Sequence, residues 1–122
     1  MAWILIAEDR ESMRKALRAL SRSRSHWEVC GEAEDGSETV KKAAQWHPEL
    51  IVVDFRMHDL DGLRASNEIF RSTPSVPIVM YTMYKNEEVE STAKLVGIRR
   101  VKEEGALSRM RAIEAELPAA QD

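Results

Sequence analysis

Apolar residues follow two rhythms along this chain. Short unbroken runs, such as Trp3-Ile4-Leu5-Ile6-Ala7, Leu50-Ile51-Val52-Val53 and Ile78-Val79-Met80-Tyr81, alternate with stretches where apolar residues recur every three or four positions. The first rhythm marks strands buried on both faces, the second amphipathic helices. The pattern predicts a strand over Ala2–Ala7, then a helix from about Glu11 to Ser23 with Met13, Ala16, Leu17 and Leu20 on one face. A second strand, Trp27–Ala33, closes at the turn signal Asp35-Gly36. A helix over Ser37–Trp46 turns Val40, Ala43 and Ala44 inward and ends at His47-Pro48, because the residue before proline disfavours helix. The third strand is Leu50–Asp54. After the loop 55–62, a helix runs through Leu63, Ile69 and Phe70. Thr73-Pro74 and Val76-Pro77 punctuate the approach to the fourth strand, Ile78–Thr82. A helix from Asn86 or Glu87 to Val96, inward through Val89, Ala93 and Val96, stops at Gly97. Ile98–Lys102 is a short fifth strand, and Glu103–Leu117 a last helix with Leu107, Met110, Ile113 and Leu117 on one side.

Five strand–helix units in tandem imply an α/β fold: a doubly wound (βα)5 parallel sheet, covered on both faces, with strand order 2-1-3-4-5. The expected organisation is one domain over residues 1–117, with 118–122 a C-terminal tail or the start of a linker. A chain of 122 residues can bury a real core. With 43% apolar and 32% charged residues it is neither a disordered nor a membrane composition. No apolar stretch approaches the ~20 residues that span a bilayer, and no secretion signal opens the chain. A cytoplasmic protein without membrane association is expected. The net charge of −3 argues against direct nucleic-acid binding. A single cysteine, Cys30, excludes an internal disulfide and reads as a small buried hydrophobe. His26, His47 and His58 lack metal spacing and read as surface or loop residues.

Charge at the strand ends changes this picture. The first strand is closed by Glu8-Asp9 and the third by Asp54. In the expected sheet, ligands bind beyond the carboxyl ends of the strands, where strands 1 and 3 diverge in connection. Three carboxylates on one edge repel each other and invite a divalent cation. Read singly, Glu8-Asp9 could equally form an acidic first turn of the next helix, and Thr82 could be an ordinary β-branched strand end.

Together these residues resemble a response-regulator receiver domain over essentially the whole chain. The similarity rests on Glu8-Asp9 after strand 1, Asp54 ending strand 3, Thr82 ending strand 4 and Lys102 ending strand 5. It also rests on Asp54-Phe55-Arg56-Met57-His58-Asp59-Leu60-Asp61-Gly62, which is similar to the family's Asp-Leu-x-Met-Pro-x-Met-Asp-Gly. The resemblance implies a flavodoxin-like fold and a phosphoacceptor Asp54, loaded by a sensor histidine kinase or phosphotransfer protein. It implies Mg²⁺ held by Asp9, Asp54, the backbone carbonyl of Arg56 and, directly or through water, Glu8. Thr82 and Lys102 would hold the phosphoryl group. The domain would catalyse only its own phosphorylation and dephosphorylation. Its helix 4–strand 5–helix 5 surface would switch a partner or homodimer interface. The run Trp27–Gly36 is similar to the subclass with helix-turn-helix output domains.

Several positions depart from the family pattern. His58 replaces a proline, Met83 stands where a small residue is usual, and Glu103 replaces the proline after the lysine. The fifth strand is about two residues short. Counted forward from Gly97 the lysine position falls on Glu104, and counted back from the last helix it falls on Lys102, which is preferred because a cation serves phosphate. An aromatic residue expected on that strand is missing. These departures motivate a second reading, a pseudo-receiver that acts as a phosphorylation-independent interaction module. A third is a Mg²⁺-dependent phosphotransferase or nuclease using Glu8 with Asp59 and Asp61. Arg10, Glu11 and Arg14 on helix 1 form the expected kinase-docking surface.

Overall fold

Strands appear where apolar runs are unbroken, because a central parallel strand is buried on both sides. A computed structural model describes residues 2–22, 27–57, 60–82 and 86–103. Its elements are β1 (Ala2–Ala7), α1 (Glu11–Ser21), β2 (Trp27–Ala33), α2 (Gly36–Trp46), β3 (Leu50–Asp54), α3 (Gly62–Ser72), β4 (Ile78–Thr82), α4 (Glu87–Leu95) and β5 (Arg100–Glu103). The expected last helix beyond Glu103, the tail 118–122, His26, His58, Asp59, Met83 and Glu104 lie outside the described residues, as do the side chains of Leu20 and Lys102. All five strands form one parallel sheet in the order β2-β1-β3-β4-β5. This is the flavodoxin-like doubly wound arrangement.

The sheet separates two cores. Ile4, Ile6, Val29, Leu50, Val52, Val79 and Tyr81 meet Leu17 and Met13 of α1 on one face. Leu5, Ala7, Ala33, Ile51, Val53, Ile78 and Met80 meet Ala43 of α2, Ile69 of α3 and Ala93 of α4 on the other. Burial of Ala43 without Ala44 corrects the expected α2 face, since Ala44 is exposed. Of the apolar residues expected in α3, Ile69 is buried and Phe70 is 38% exposed. Cys30 is half-buried. It is the extra residue of a β-bulge: Ile4 pairs with Val29 and Leu5 with Gly31, so Cys30 has no opposite number on β1. That insertion lets Val29 and Ala33, which strict alternation would put on one face, reach opposite cores.

The helix starts are written into the sequence. Asp35, Asn86 and Asp61 cap α2, α4 and α3, their side chains accepting from the amides of Glu38, Val89 and Arg64 at 2.8, 2.9 and 2.9 Å. α2 ends on His47 in the left-handed region (φ 49°, ψ 59°). β5 begins at Arg100 rather than Ile98 and runs on through Glu103, so the last helix cannot start there. The Ile98 amide donates to the Ala93 carbonyl, which makes Ile98 part of the turn that closes α4.

Candidate functional site

The carboxyl edge of the sheet is assembled by ladder bonds that run past the strand ends. Glu8 follows β1, and its amide donates to the Ala33 carbonyl at 2.9 Å. Phe55 follows β3, and its amide donates to the Tyr81 carbonyl at 2.7 Å. These bonds hold the first residues of both loops as firmly as strand residues. Glu8, Asp9 and Asp54 come together as expected, with one carboxylate oxygen of each lying within 4.8 Å of the others. Glu8 is fully buried and Asp54 is 7% exposed. Asp54 Oδ1 accepts from the Arg56 amide at 3.2 Å, a short turn that fixes the carboxylate's direction. Gly62 packs so tightly under this loop that a methyl group there would overlap the Asp54 carbonyl oxygen.

Thr82 is 2% exposed and follows Tyr81, which stands in register with Asp54. Lys102 is in register with Tyr81, so Asp54, Tyr81 and Lys102 occupy one row across three strands. Thr82 itself is in register with Glu103. A cleft of about 320 Å³, lined by Asp9, Phe55, Arg56, Met57 and Asp61, opens beside the carboxylates. The Asp61 carboxylate caps α3, so it is committed to the helix rather than to an Asp59–Asp61 ligand pair.

Two arginines enter this edge in ways the sequence reading missed. Arg10 grips Glu8 in a two-pronged ion pair, Nη2 to Oε1 at 3.1 Å and Nε to Oε2 at 3.3 Å, with the Arg10 amide donating to Oε2 at 3.2 Å. The Glu8 hydrogen bond holds the guanidinium above its ordinary pKa against the opposing effect of burial, with the charges of Glu8, Asp54 and Asp9 adding to it. Arg14 is 8% exposed, and its Nη1 donates to the Glu8 carbonyl at 2.7 Å. It also lies 3.5 Å from Glu32 and 3.4 Å from Glu34. Arg14 is therefore buried behind the acidic pair and is not presented to a docking kinase. The cue available in the sequence was a cation directly after an acidic pair, Glu8-Asp9-Arg10.

The donor set is all oxygen, hard and anionic, and its spacing suits a small divalent cation after slight contraction. Such a set suits Mg²⁺ or Ca²⁺ far better than zinc or copper, which favour nitrogen and sulfur.

Residues 4–101 match the family model of the response regulator receiver domain. The chain is 34% identical over 91 residues, 75% of its length, to the protein-glutamate methylesterase/protein-glutamine glutaminase of Pyrococcus abyssi, 24% of which is covered. It is 31% identical over 81 residues, 66% of its length, to the response regulator protein VraR of Staphylococcus saprophyticus, 39% of which is covered. The chain thus spans only about a quarter to two-fifths of the length of these curated relatives. Among solved structures, the response regulator domain of Thermotoga maritima CheB aligns with a TM-score of 0.84 at 22% identity, over 95% of this chain and 93% of that one. A LuxR-family two-component response regulator from Aurantimonas sp. aligns at 0.86 and 23% identity, over 94% and 84% of the two chains. The structural likenesses carry the fold, while the family match and the identities carry the kinship. The chain belongs to the response regulator receiver family.

Proposed function

We propose that residues 1–117 form the phosphoacceptor receiver of a cytoplasmic two-component phosphorelay, with Asp54 as the residue phosphorylated. The carrying observation is the buried Asp54 carboxylate at the end of β3, gathered with Glu8 and Asp9 beside an open cleft. An Asp54 oxygen attacks the phosphorus of a phosphohistidine on a sensor kinase or phosphotransfer protein. The P–N bond breaks, and the imidazole leaves with its electron pair and takes up a proton. Attack of an anion on an anionic phosphoryl group is governed by positioning and charge neutralisation. Mg²⁺, held by Asp9, Asp54, the Arg56 carbonyl and Glu8 directly or through water, would supply that neutralisation. The Arg56 amide keeps the Asp54 carboxylate aimed. Thr82 donates its hydroxyl to a phosphoryl oxygen. Lys102, two strand spacings or about 10 Å from Asp54 along one row, offers the balancing cation.

Phosphorylation adds about −1.5 to −2 charges and strong acceptor oxygens. Movement of Thr82 toward them biases the surface formed by α4, β5 and the helix expected after it in sequence, which changes a partner or homodimer contact. The domain catalyses nothing beyond its own phosphorylation and dephosphorylation, and it engages neither nucleic acid nor membrane. A second reading, the phosphorylation-independent interaction module, draws on Met83 directly after Thr82 and on the short fifth strand, Arg100–Glu103.

Incubation with Mg²⁺ and a small acyl or amido phosphate, followed by intact-mass measurement, distinguishes the two. The first reading expects an adduct of one phosphoryl group that disappears in Asp54→Asn. No adduct with any donor would leave the second.

A further inference from the structure

Glu8 is fully buried, and both of its carboxylate oxygens accept hydrogen bonds from Arg10. A buried carboxylate without a cation beside it is severely destabilising. The forked guanidinium is a geometry suited to stand in for that cation, because it engages both oxygens at once. The Arg10 side chain is 45% exposed, so its head group can withdraw into water while Glu8 cannot. A divalent ion placed among Glu8, Asp9 and Asp54 would therefore meet a positive charge already seated on one of its ligands.

We propose that Arg10 is a resident counter-ion that competes with the divalent cation for Glu8. The inference rests on the reading of Glu8, Asp9 and Asp54 as a metal site. With Arg10 seated, Glu8 is withheld from the ion. With Arg10 displaced, Glu8 joins Asp9 and Asp54. Either way, affinity is lower than the three carboxylates would give without the arginine, and the ion-free protein is spared their mutual repulsion.

The test is calorimetric Mg²⁺ titration of the whole chain and of Arg10→Gln, Glu8→Gln and the double variant, with urea unfolding of each without metal. Arg10→Gln is expected to bind Mg²⁺ on the order of tenfold tighter, the size of one charge-assisted contact released. The gain should vanish in the Glu8→Gln background. Without metal, Arg10→Gln should unfold at lower urea, and added Mg²⁺ should shift its midpoint upward by more than it shifts the wild type. Binding equal to or weaker than wild type, or a gain that survives Glu8→Gln, overturns the proposal. If Arg10→Gln does not fold, Arg10→Lys, which keeps charge but not the fork, carries the same comparison: tighter binding supports competition, and equal or weaker binding overturns it. Absence of Mg²⁺ binding in wild type and variants alike would overturn the metal-site reading itself, and this inference with it.

Discussion

Arg14 and Gly62 hold the acidic edge from two sides. Arg14 reaches from α1 to the main-chain carbonyl of Glu8, fixing the backbone that carries the acidic pair. Gly62 lets the first turn of α3 lie against the main chain of Asp54, and its amide donates to the Phe55 carbonyl at 2.9 Å. Replacing Gly62 with alanine forces the Asp54–Phe55 peptide to move, with an overpacking cost of about 1–3 kcal/mol. Urea unfolding should show that loss, and phosphoryl transfer to Asp54 should slow as the loop shifts. The three carboxylates were legible in the sequence because each follows or ends an apolar run, where a charge has no packing reason to be. Arg10 and Arg14 were not legible in the same way. Their partners are chosen by how α1 folds back over the ends of β1 and β2, so Arg14, about one turn into a polar-looking helix face, read as surface.

At the scale of elements, capping chemistry and strand burial carry most of the agreement between sequence and structure. The strands β1 to β4 were legible to the residue, β3 and β4 because a run buried on both faces has sharp ends, β2 because Asp35-Gly36 closes it. Helix ends moved by one or two residues, with Gly36 joining the helix that Asp35 caps and α1 ending at Ser21, while Gly62 opens α3. The fifth strand was displaced for a physical reason. Ile98 is apolar and looks like strand, yet its amide is taken by the α4 carbonyl of Ala93, and the ladder to β4 can begin only after it. Gly97, at φ 85°, makes the reversal possible, with the Phe70 ring pressed against it. α4 is the shortest of the described helices, and Asn86 supplies its N-terminal cap. Asn86→Ala should destabilise the protein by about 1 kcal/mol. Amide hydrogen exchange should show faster opening of α4 than of α2 or α3.

As a whole molecule, the described chain is one sheet whose strands contribute to two cores at once. Loss of any central strand removes packing from both faces, so the two layers cannot melt separately. Far-UV circular dichroism and tryptophan fluorescence should therefore report coincident urea transitions, a two-state signature for a domain of this size. A transition split between the probes would show that one face unfolds on its own. The order 2-1-3-4-5, one of the common doubly wound orders for strand–helix repeats, was expected before any coordinates, and the sheet has it. The bulge at Cys30 was not, because an inserted residue leaves the local composition of β2 unchanged. Yet β2 is a border strand of the described sheet, and its Glu32 carbonyl accepts from the Lys42 ammonium. An added strand from a second molecule would need an unbroken ladder along that border, and the twist and offset at Cys30 interrupt it midway. The same insertion that divides Val29 from Ala33 between two cores thus guards this protein against edge-to-edge aggregation.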